Sequence, residues 1–281
     1  AARAVPRRRR GREGFMTARP RSKPRGAARP EGGTAVRSVR RALAILRAFR
    51  LTDRSLALGE IARRAALDKA TAWRLLATLI EEGLVEQNPE TKSYALGLGV
   101  LELAAGLRPG EDLRQRAQPV LAGIAQATGA TAFLGVTHDG AALCIGRVDG
   151  GEAIQIRAWS IGGRLPLHCG AGPRVLMAHR PEPELRRLLA RPLEALTPFS
   201  PTEPASLAKA LARIRDRGWE LAVDDVVEGI SGVGVPVRDR SGAVIAAISI
   251  SGLHRHILDK DQPRHLAVLR EKAQELERSL G

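Results

Sequence analysis

Aromatic residues and cysteines are both scarce in this chain of 281 residues. Phe, Trp and Tyr make up 3% of it, and the two cysteines are Cys144 and Cys169. Two isolated cysteines give neither a disulfide framework nor the spacing of a metal site, and His168 beside Cys169 has no second ligand or base at a recognisable spacing. We therefore expect a core of Ala, Leu, Val and Ile, two buried thiols, and no metal or other cofactor.

Long apolar runs are also missing. No stretch of about 18 apolar residues occurs, and the amino-terminal segment lacks the apolar region of a signal peptide. The expected location is the cytoplasm, with no membrane partner.

Acidic residues are outnumbered, with 30 Asp and Glu against 45 Lys and Arg, for a formal charge of +15. The first 36 residues hold eleven basic residues against Glu13 and Glu31, which accounts for +9 of that total. This segment has no apolar periodicity, so residues 1–35 are predicted to be a disordered basic arm. The charge favours a polyanionic partner such as nucleic acid.

Three short helical patterns follow the arm. The first has Ser38 at its predicted N-cap, and the second, "LGEIARRAA", leads through the turn "ALD" to a third. Asp68 is the predicted N-cap of the third helix and Gly83 its left-handed stop. The residues expected to face inward are Val39, Ala42, Leu43, Leu46 and Phe49 in the first helix, Leu58, Ile61, Ala62 and Ala65 in the second, and Ala72, Leu75, Leu76 and Leu79 in the third.

The outer face of the third helix suits DNA. Arg and Lys can bond guanine edges or phosphates, and Thr can contact phosphate or a thymine methyl. The following run, "LVEQNPETKSYALG", alternates about a turn and predicts a β-hairpin with Lys92 at its tip. Together these features predict a winged helix-turn-helix, with candidate DNA contacts at Ser38, Lys69, Ala70, Thr71, Trp73, Arg74, Thr78 and Lys92.

The remaining two thirds mix hairpins with helices. "LGLGVLELAAGL" predicts a linker helix, broken at Pro109 and Gly110, and a new helix is expected from Leu113 to Gly129. Hairpins are predicted at Asp139–Gly140 and Ser241–Gly242, with a further strand at "AIQIRAW". Helices are expected near 171–179, 183–190, 204–217 and 261–279. This order indicates an α+β domain with an antiparallel sheet flanked by helices.

The segments "VRSVRRALAILRAF", "LALGEIARRAALDKATAWRLLATLIEEGLVEQ" and "YALGLGVLELA" resemble the IclR family of bacterial transcriptional regulators, and the resemblance covers residues 36–281. It implies a winged helix-turn-helix at 36–97, a linker helix at 98–112 and a GAF-like effector-binding domain at 113–281. It also implies a homodimer or a dimer of dimers on double-stranded operator DNA, and a small organic effector, frequently a carboxylate. Trp73 stands where the family often has His, and Pro173 where it commonly has Gly.

By residue match, the implied effector pocket surrounds "LPLHCGAGPRVLMA", whose glycines would let backbone N–H groups approach an anion. "DDVVEG" is about two residues shorter than is usual in the family. The implied ligand-binding residues are Ile154, Ile156, Leu165, Gly170, Ala171, Gly172, Asp224, Ile230, Gly232, Ser249 and Ser251. Few aromatics are available, so we expect aliphatic walls with amide and hydroxyl groups.

Several alternatives stay open. "GAGP" also fits an ordinary turn that opens a helix. The serines of "SIS" also fit exposed polar positions of a strand, and Asp224 with Asp225 also fits a solvated turn. The chain is also compatible with an enzyme that acts on a small acid through Cys169 or His168, although no partner group stands at a recognisable spacing. A third possibility is an architectural protein that uses the basic arm to bind DNA without sequence preference.

Overall fold

The computed structural model describes residues 36–50, 53–106, 108–151 and 159–280. Its amino-terminal part contains three helices, a hairpin and a fourth helix. In chain order they are α1 (Arg37–Ala48), α2 (Leu58–Arg64), α3 (Lys69–Glu81), β1 (Val85–Gln87), β2 (Tyr94–Leu96) and α4 (Gly99–Ala105). The antiparallel pairing of β1 with β2 confirms the predicted hairpin.

Local signals determine most of these boundaries. The Asp68 side chain accepts a 2.8 Å hydrogen bond from the backbone N–H of Thr71, which confirms Asp68 as the N-cap of α3. Gly83 has φ +68° and ends that helix as predicted. In the hairpin turn, the Asn88 side chain accepts from the N–H groups of Glu90 and Thr91.

The first helix differs from the prediction in two ways. Val36 is its N-cap residue, so Ser38 lies inside the first turn and the expected Ser38 cap is wrong. Val39 and Leu43, which were expected to face inward, are 56% and 44% exposed. The core of this domain uses Ile45 and Ala48 instead, because these two lie on the side of α1 that packs against α2 and α3.

The carboxy-terminal part is a six-stranded antiparallel sheet with helices on both faces. Its helices are α5 (Arg108–Thr128), α6 (Ala171–Ala178), α7 (Glu182–Leu189), α8 (Pro204–Arg217), α9 (His254–Ile257) and α10 (Leu266–Leu280). Its strands are β3 (Thr131–His138), β4 (Ala141–Val148), β5 (Arg164–Leu165), β6 (Glu220–Val223), β7 (Ile230–Arg238) and β8 (Val244–Leu253), with the short pair β9 (Leu258–Asp259) and β10 (Gln262–Pro263) outside the sheet. The spatial order is β5-β4-β3-β8-β7-β6. The α+β prediction is therefore confirmed.

Strand alternation divides the core into two layers, because successive side chains point to opposite faces. Leu134, Val235 and Ile248 face α5 and α10 in one layer, whereas Phe133 and Ala247 face α6 and α8 in the other. Both predicted hairpins are present, with β3–β4 turning at Asp139–Gly140 and β7–β8 at Gly242. The strand expected at "AIQIRAW" lies almost wholly at 152–158, outside the described residues.

Two helix boundaries were misplaced. The helical path breaks at Gly106 rather than at Pro109 and Gly110, which lie within α5. Proline is tolerated in the first turn of a helix, because the N–H that it lacks would have no partner there. Pro109 therefore marks the beginning of α5 rather than a break in a helix. The last helix begins at Leu266 instead of near 261, because β9 and β10 occupy the preceding residues. Among the described residues, no helix is long and apolar enough to span a lipid bilayer.

Candidate functional site

The exposed face of α3 carries most of the predicted DNA contacts. Asp68 holds the helix start by accepting from the Thr71 backbone, and these hydrogen bonds lower the pKa of Asp68 below its ordinary value. Ala72, Leu76 and Leu79 are buried and anchor the opposite face. The exposed set is Lys69, Ala70, Trp73, Arg74 and Thr78, with Thr71 half-buried at its edge. Trp73 is 57% exposed, which places an indole in the middle of this face.

The two remaining candidates lie apart from α3 along the chain. Lys92 is exposed in the hairpin turn with φ +55°, and its backbone N–H donates to the carbonyl of Asn88. Ser38 is exposed in the first turn of α1. The predicted winged helix-turn-helix geometry is therefore present, with α3, its cap and the hairpin in the expected order.

A second site is a cavity between the sheet and the start of α6. The space amounts to about 500 Å³ including its open mouth. Most of the predicted effector-binding residues line it: Leu165, Gly170, Ala171, Gly172, Ile230, Gly232, Ser249 and Ser251. Ile154 and Ile156 lie outside the described residues.

Close backbone packing brings α6 onto the sheet at this point. A Cβ built on Gly234 of β7 would lie 2.8 Å from the backbone N of Gly172, and one built on Gly172 would lie 2.8 Å from Ser249 Oγ. Gly234 therefore needs glycine, because its neighbours are backbone atoms, whereas a side chain at Gly172 would have to displace the Ser249 hydroxyl. As a result, the N–H groups of the first turn of α6, which have no preceding helix carbonyl to bond, lie beside the hydroxyl groups of β8.

The predicted role of Asp224 is not supported by its position, because it does not line the cavity. Asp224 has φ +60°, and its carboxylate accepts a 2.6 Å hydrogen bond from Gly229 N and lies 3.1 Å from His254 Nε2. It therefore stabilises the turn after β6, which agrees with the turn alternative for Asp224 but not for Asp225, because Asp225 is buried. The next residue, Asp225, is the acid that lines the cavity, because the backbone turns between the two.

Sequence reasoning also missed the aromatic wall. Phe133 and Trp159 stack with ring centroids 5.7 Å apart and both line the cavity, so the expectation of purely aliphatic walls was wrong. A Cβ on Gly135 would lie 2.4 Å from Trp159 Cη2, so this glycine makes room for the indole. No local pattern signals this contact, since the two aromatic residues are 26 positions apart.

A buried ion-pair network holds the start of α6. Arg174, in α6, donates to Glu220 over 2.9 Å and to the carbonyl of Leu221 over 3.1 Å, and it forms a salt bridge with Asp225. Asp225 also accepts a 2.9 Å hydrogen bond from the backbone N–H of Gly170. Burial alone lowers the pKa of Arg174, but the charges of Asp225 and Glu220 outweigh it and raise that pKa above the ordinary value.

Cys169 and His168, the residues on which the enzyme alternative depends, are buried in the core. Cys144 and Cys169 are both buried, which confirms that prediction, and burial raises the pKa of each thiol to about 11. The thiolate nucleophile is therefore scarce at neutral pH. His168 is buried with its Nε2 2.8 Å from the carbonyl oxygen of Glu194. Among the described residues, no group of three or more His, Cys, Asp or Glu could hold a metal ion.

Comparisons with known proteins match both parts of the chain. The model of the IclR helix-turn-helix domain matches residues 38–89, and the model of the bacterial transcriptional regulator IclR C-terminal domain matches residues 109–278. The HTH-type transcriptional regulator XynR of Escherichia coli is 34% identical over 88% of this chain and 98% of its own length.

Solved structures are similar over nearly the same span. An IclR transcriptional regulator from Alicyclobacillus acidocaldarius has a TM-score of 0.77 at 30% identity, covering 88% of this chain and 100% of that one. An IclR homologue from Microbacterium hydrocarbonoxydans, complexed with 4-hydroxybenzoate, has a TM-score of 0.77 at 27% identity, covering 86% and 98%.

The buried network generates a stability prediction. Replacing Arg174 by Met should lower the free energy of unfolding by about 3–5 kcal/mol, because Asp225 would be left buried without its cation and Glu220 would keep only its salt bridge with Arg217. Arg187→Met, at an exposed position on α7, is the matched control and should stay within about 0.5 kcal/mol of the parent. Urea unfolding followed by circular dichroism measures both, and equal values for the two variants would contradict the prediction.

Proposed function

The chain belongs to the IclR family of bacterial transcriptional regulators, and on that premise we propose which function each part of the chain has. It is a DNA-binding regulator that senses a small organic molecule, and it is not an enzyme. We propose that α3 enters the major groove of operator DNA, that Lys92 contacts phosphate, and that the cavity at the start of α6 holds the effector. The observation that supports DNA binding is that one face of α3 is exposed and carries basic and hydroxyl side chains, while the opposite face is buried in the core.

Within that face, Arg74 is the residue best suited to read a base. It is exposed on α3, has no ion-pair partner among the described residues, and has five donors in a planar fork that matches the acceptors of guanine. Lys69 and Ser38, at the starts of α3 and α1, are better placed for phosphate, because helix amino ends favour anions.

Replacing Arg74 by Ala should relax sequence preference at one operator position, at a cost of about 1–3 kcal/mol for the preferred base. The measurement is selection of bound duplexes from a random pool, followed by sequencing. This method does not require the operator sequence to be known beforehand. Arg187→Ala is the control and should select the parental sequence. An unchanged sequence profile for Arg74→Ala would remove this residue from base recognition.

For the effector, we propose a small carboxylate with an apolar body. The amide groups of Ala171 and Gly172 and the hydroxyls of Ser249 and Ser251 are suited to an anionic head, while Phe133 and Trp159 suit an apolar or aromatic body. The charge of Asp225 does not oppose this, because it is paired with Arg174. The relative complexed with 4-hydroxybenzoate supports a search within this class.

A thermal-shift screen tests this proposal, because a ligand that binds the folded state raises Tm. We expect at least one small carboxylate, with 4-hydroxybenzoate in the panel, to raise Tm while its uncharged amide does not. Ser251→Ala should reduce that shift, since it removes a hydroxyl from the cavity. The control is Ser206→Ala, at an exposed position on α8, which should leave the shift intact. Equal shifts in both variants would exclude Ser251 from the effector site.

We further propose that the protein self-associates through its amino-terminal part, as a homodimer or dimer of dimers. Within the part of the chain that the structure describes, leucines and valines of two helices are exposed: Val36, Val39 and Leu43 on or next to α1, and Leu98, Leu101 and Leu103 on or next to α4. Exposed apolar residues grouped on helix faces are typical of an interface between copies. A two-fold arrangement of α3 would then require a palindrome-like operator.

Leu101→Glu should reduce the mass measured by light scattering towards that of the monomer, because a carboxylate would be buried in the interface. Leu101 is 68% exposed, so the monomer itself should fold normally. Ile161→Glu, at a position 45% exposed in the effector domain, serves as the control and should keep the parental mass. A parental mass for Leu101→Glu would contradict an interface at α4.

A further inference from the structure

An arginine-rich concave surface lies between α1 and α2. Four of its arginines are exposed: Arg40, Arg47, Arg50 and Arg63, and Arg64 is half-buried. Ala44 and Ala48 form the floor between them, and their short side chains leave the surface concave. We refer to this set of seven residues as the α1–α2 groove.

The two acidic residues near the groove, Asp53 and Glu60, already form salt bridges with Arg63 and Arg64. Arg64 forms salt bridges with Asp53 and Glu60 and donates to the carbonyl of Ala48, and Arg63 bonds Glu60. Hydrogen bonds from Arg63 and then Arg64 lower the pKa of Glu60 to about 2, so its charge is committed to them at physiological pH. Two carboxylates therefore face five guanidinium groups.

The excess positive charge of the groove comes from Arg40, Arg47 and Arg50. None of their guanidinium groups has a salt bridge within the part of the chain that the structure describes. Arg40, Ala44 and Arg47 recur at helical spacing, so they share one side of α1. This side is distinct from the buried one at Ile45 and from the apolar one at Val39 and Leu43, and the buried Ala48 lies at its border with the core.

The groove is continuous with the start of α3. A Cβ built on Gly59 of α2 would lie 3.5 Å from Lys69 Cε, so the Lys69 side chain crosses α2 at Gly59. Arg63 is four residues further along α2 and therefore on the same side of that helix. A row of basic groups thus leads from the first turn of α3 to the groove.

We propose that the α1–α2 groove binds the phosphate backbone of DNA beside the stretch that α3 reads. The planar guanidinium bonds two phosphate oxygens at once, and the three arginines whose guanidinium groups form no salt bridge with a described residue provide the positive charge. Such a contact extends the footprint and adds affinity without sequence preference. This inference rests on the proposed function, since it assumes that α3 faces DNA.

The test is the salt dependence of DNA binding by the full-length chain. The variant carries Arg40→Ala, Arg47→Ala and Arg50→Ala, and the matched control carries Arg187→Ala, Arg191→Ala and Arg213→Ala, three exposed arginines of the effector domain. Both variants have the same reduced charge and keep the basic arm. Binding to a random-sequence duplex is measured by fluorescence anisotropy between about 50 and 200 mM salt.

Removal of one phosphate-binding arginine should make the slope of log Kobs against log salt concentration shallower by about 0.9. We expect the slope of the groove variant to be shallower by about 2–3 for each bound protomer, and the control to keep the parental slope. Replacing the same three arginines with Lys should restore most of the slope, which separates a charge interaction from a folding defect.

A groove variant with the slope of its control would overturn the inference and leave the surface to an acidic protein partner or to solvent. Lys69→Ala and Lys92→Ala, measured alongside, distinguish that failure from a failure of the proposed function. If these two weaken DNA binding and the groove variant does not, only the groove is excluded. If none of the variants weakens binding, the placement of α3 and the hairpin on DNA fails as well.

Discussion

The effector domain depends on one buried guanidinium. Arg174 joins α6 to Glu220 on β6 and to Asp225 in the following turn, and Asp225 in turn holds the N–H of Gly170. Thr197 and Ser200 donate to the carbonyls of Asp224 and Asp225, so the same turn is tied down from its other side. Removing the arginine would leave Asp225 buried without an ion-pair partner, so the position of this turn depends on Arg174.

That constraint shapes what the cavity can recognise. The start of α6 packs closely against Gly234, so Ala171 and Gly172 line the same cavity as Ser249 and Ser251, and we propose that their amide groups serve as donors there. Preorganised donors lose little entropy when an anion binds. Regulation then requires that the effector bind the DNA-competent and DNA-incompetent arrangements with different affinity, since a ligand with equal affinity for both shifts neither population.

In the amino-terminal part, α1 has three sides with different chemistry. Ile45 packs in the core, Leu43 belongs to an exposed apolar side, and Arg40 with Arg47 borders the groove. A short helix can do this because 3.6 residues per turn distribute neighbours in the sequence around its axis. The predicted amphipathic pattern placed Val39, Leu43 and three further apolar residues on a single inward face and left out Ile45, which is why Val39 and Leu43 were misassigned to the core.

Local chemistry in the sequence determined the α+β class, the Asp68 cap, the Gly83 stop and the hairpins at Asp139–Gly140 and Ser241–Gly242. These features depend on interactions within a few residues, which spacing and side-chain type reveal. The tertiary structure alone decided that Phe133 meets Trp159, that Arg174 bridges two distant acids, and that Asp225 rather than Asp224 lines the cavity. Such contacts join residues far apart in the chain, and their formation depends on how the sheet and helices pack rather than on any local pattern.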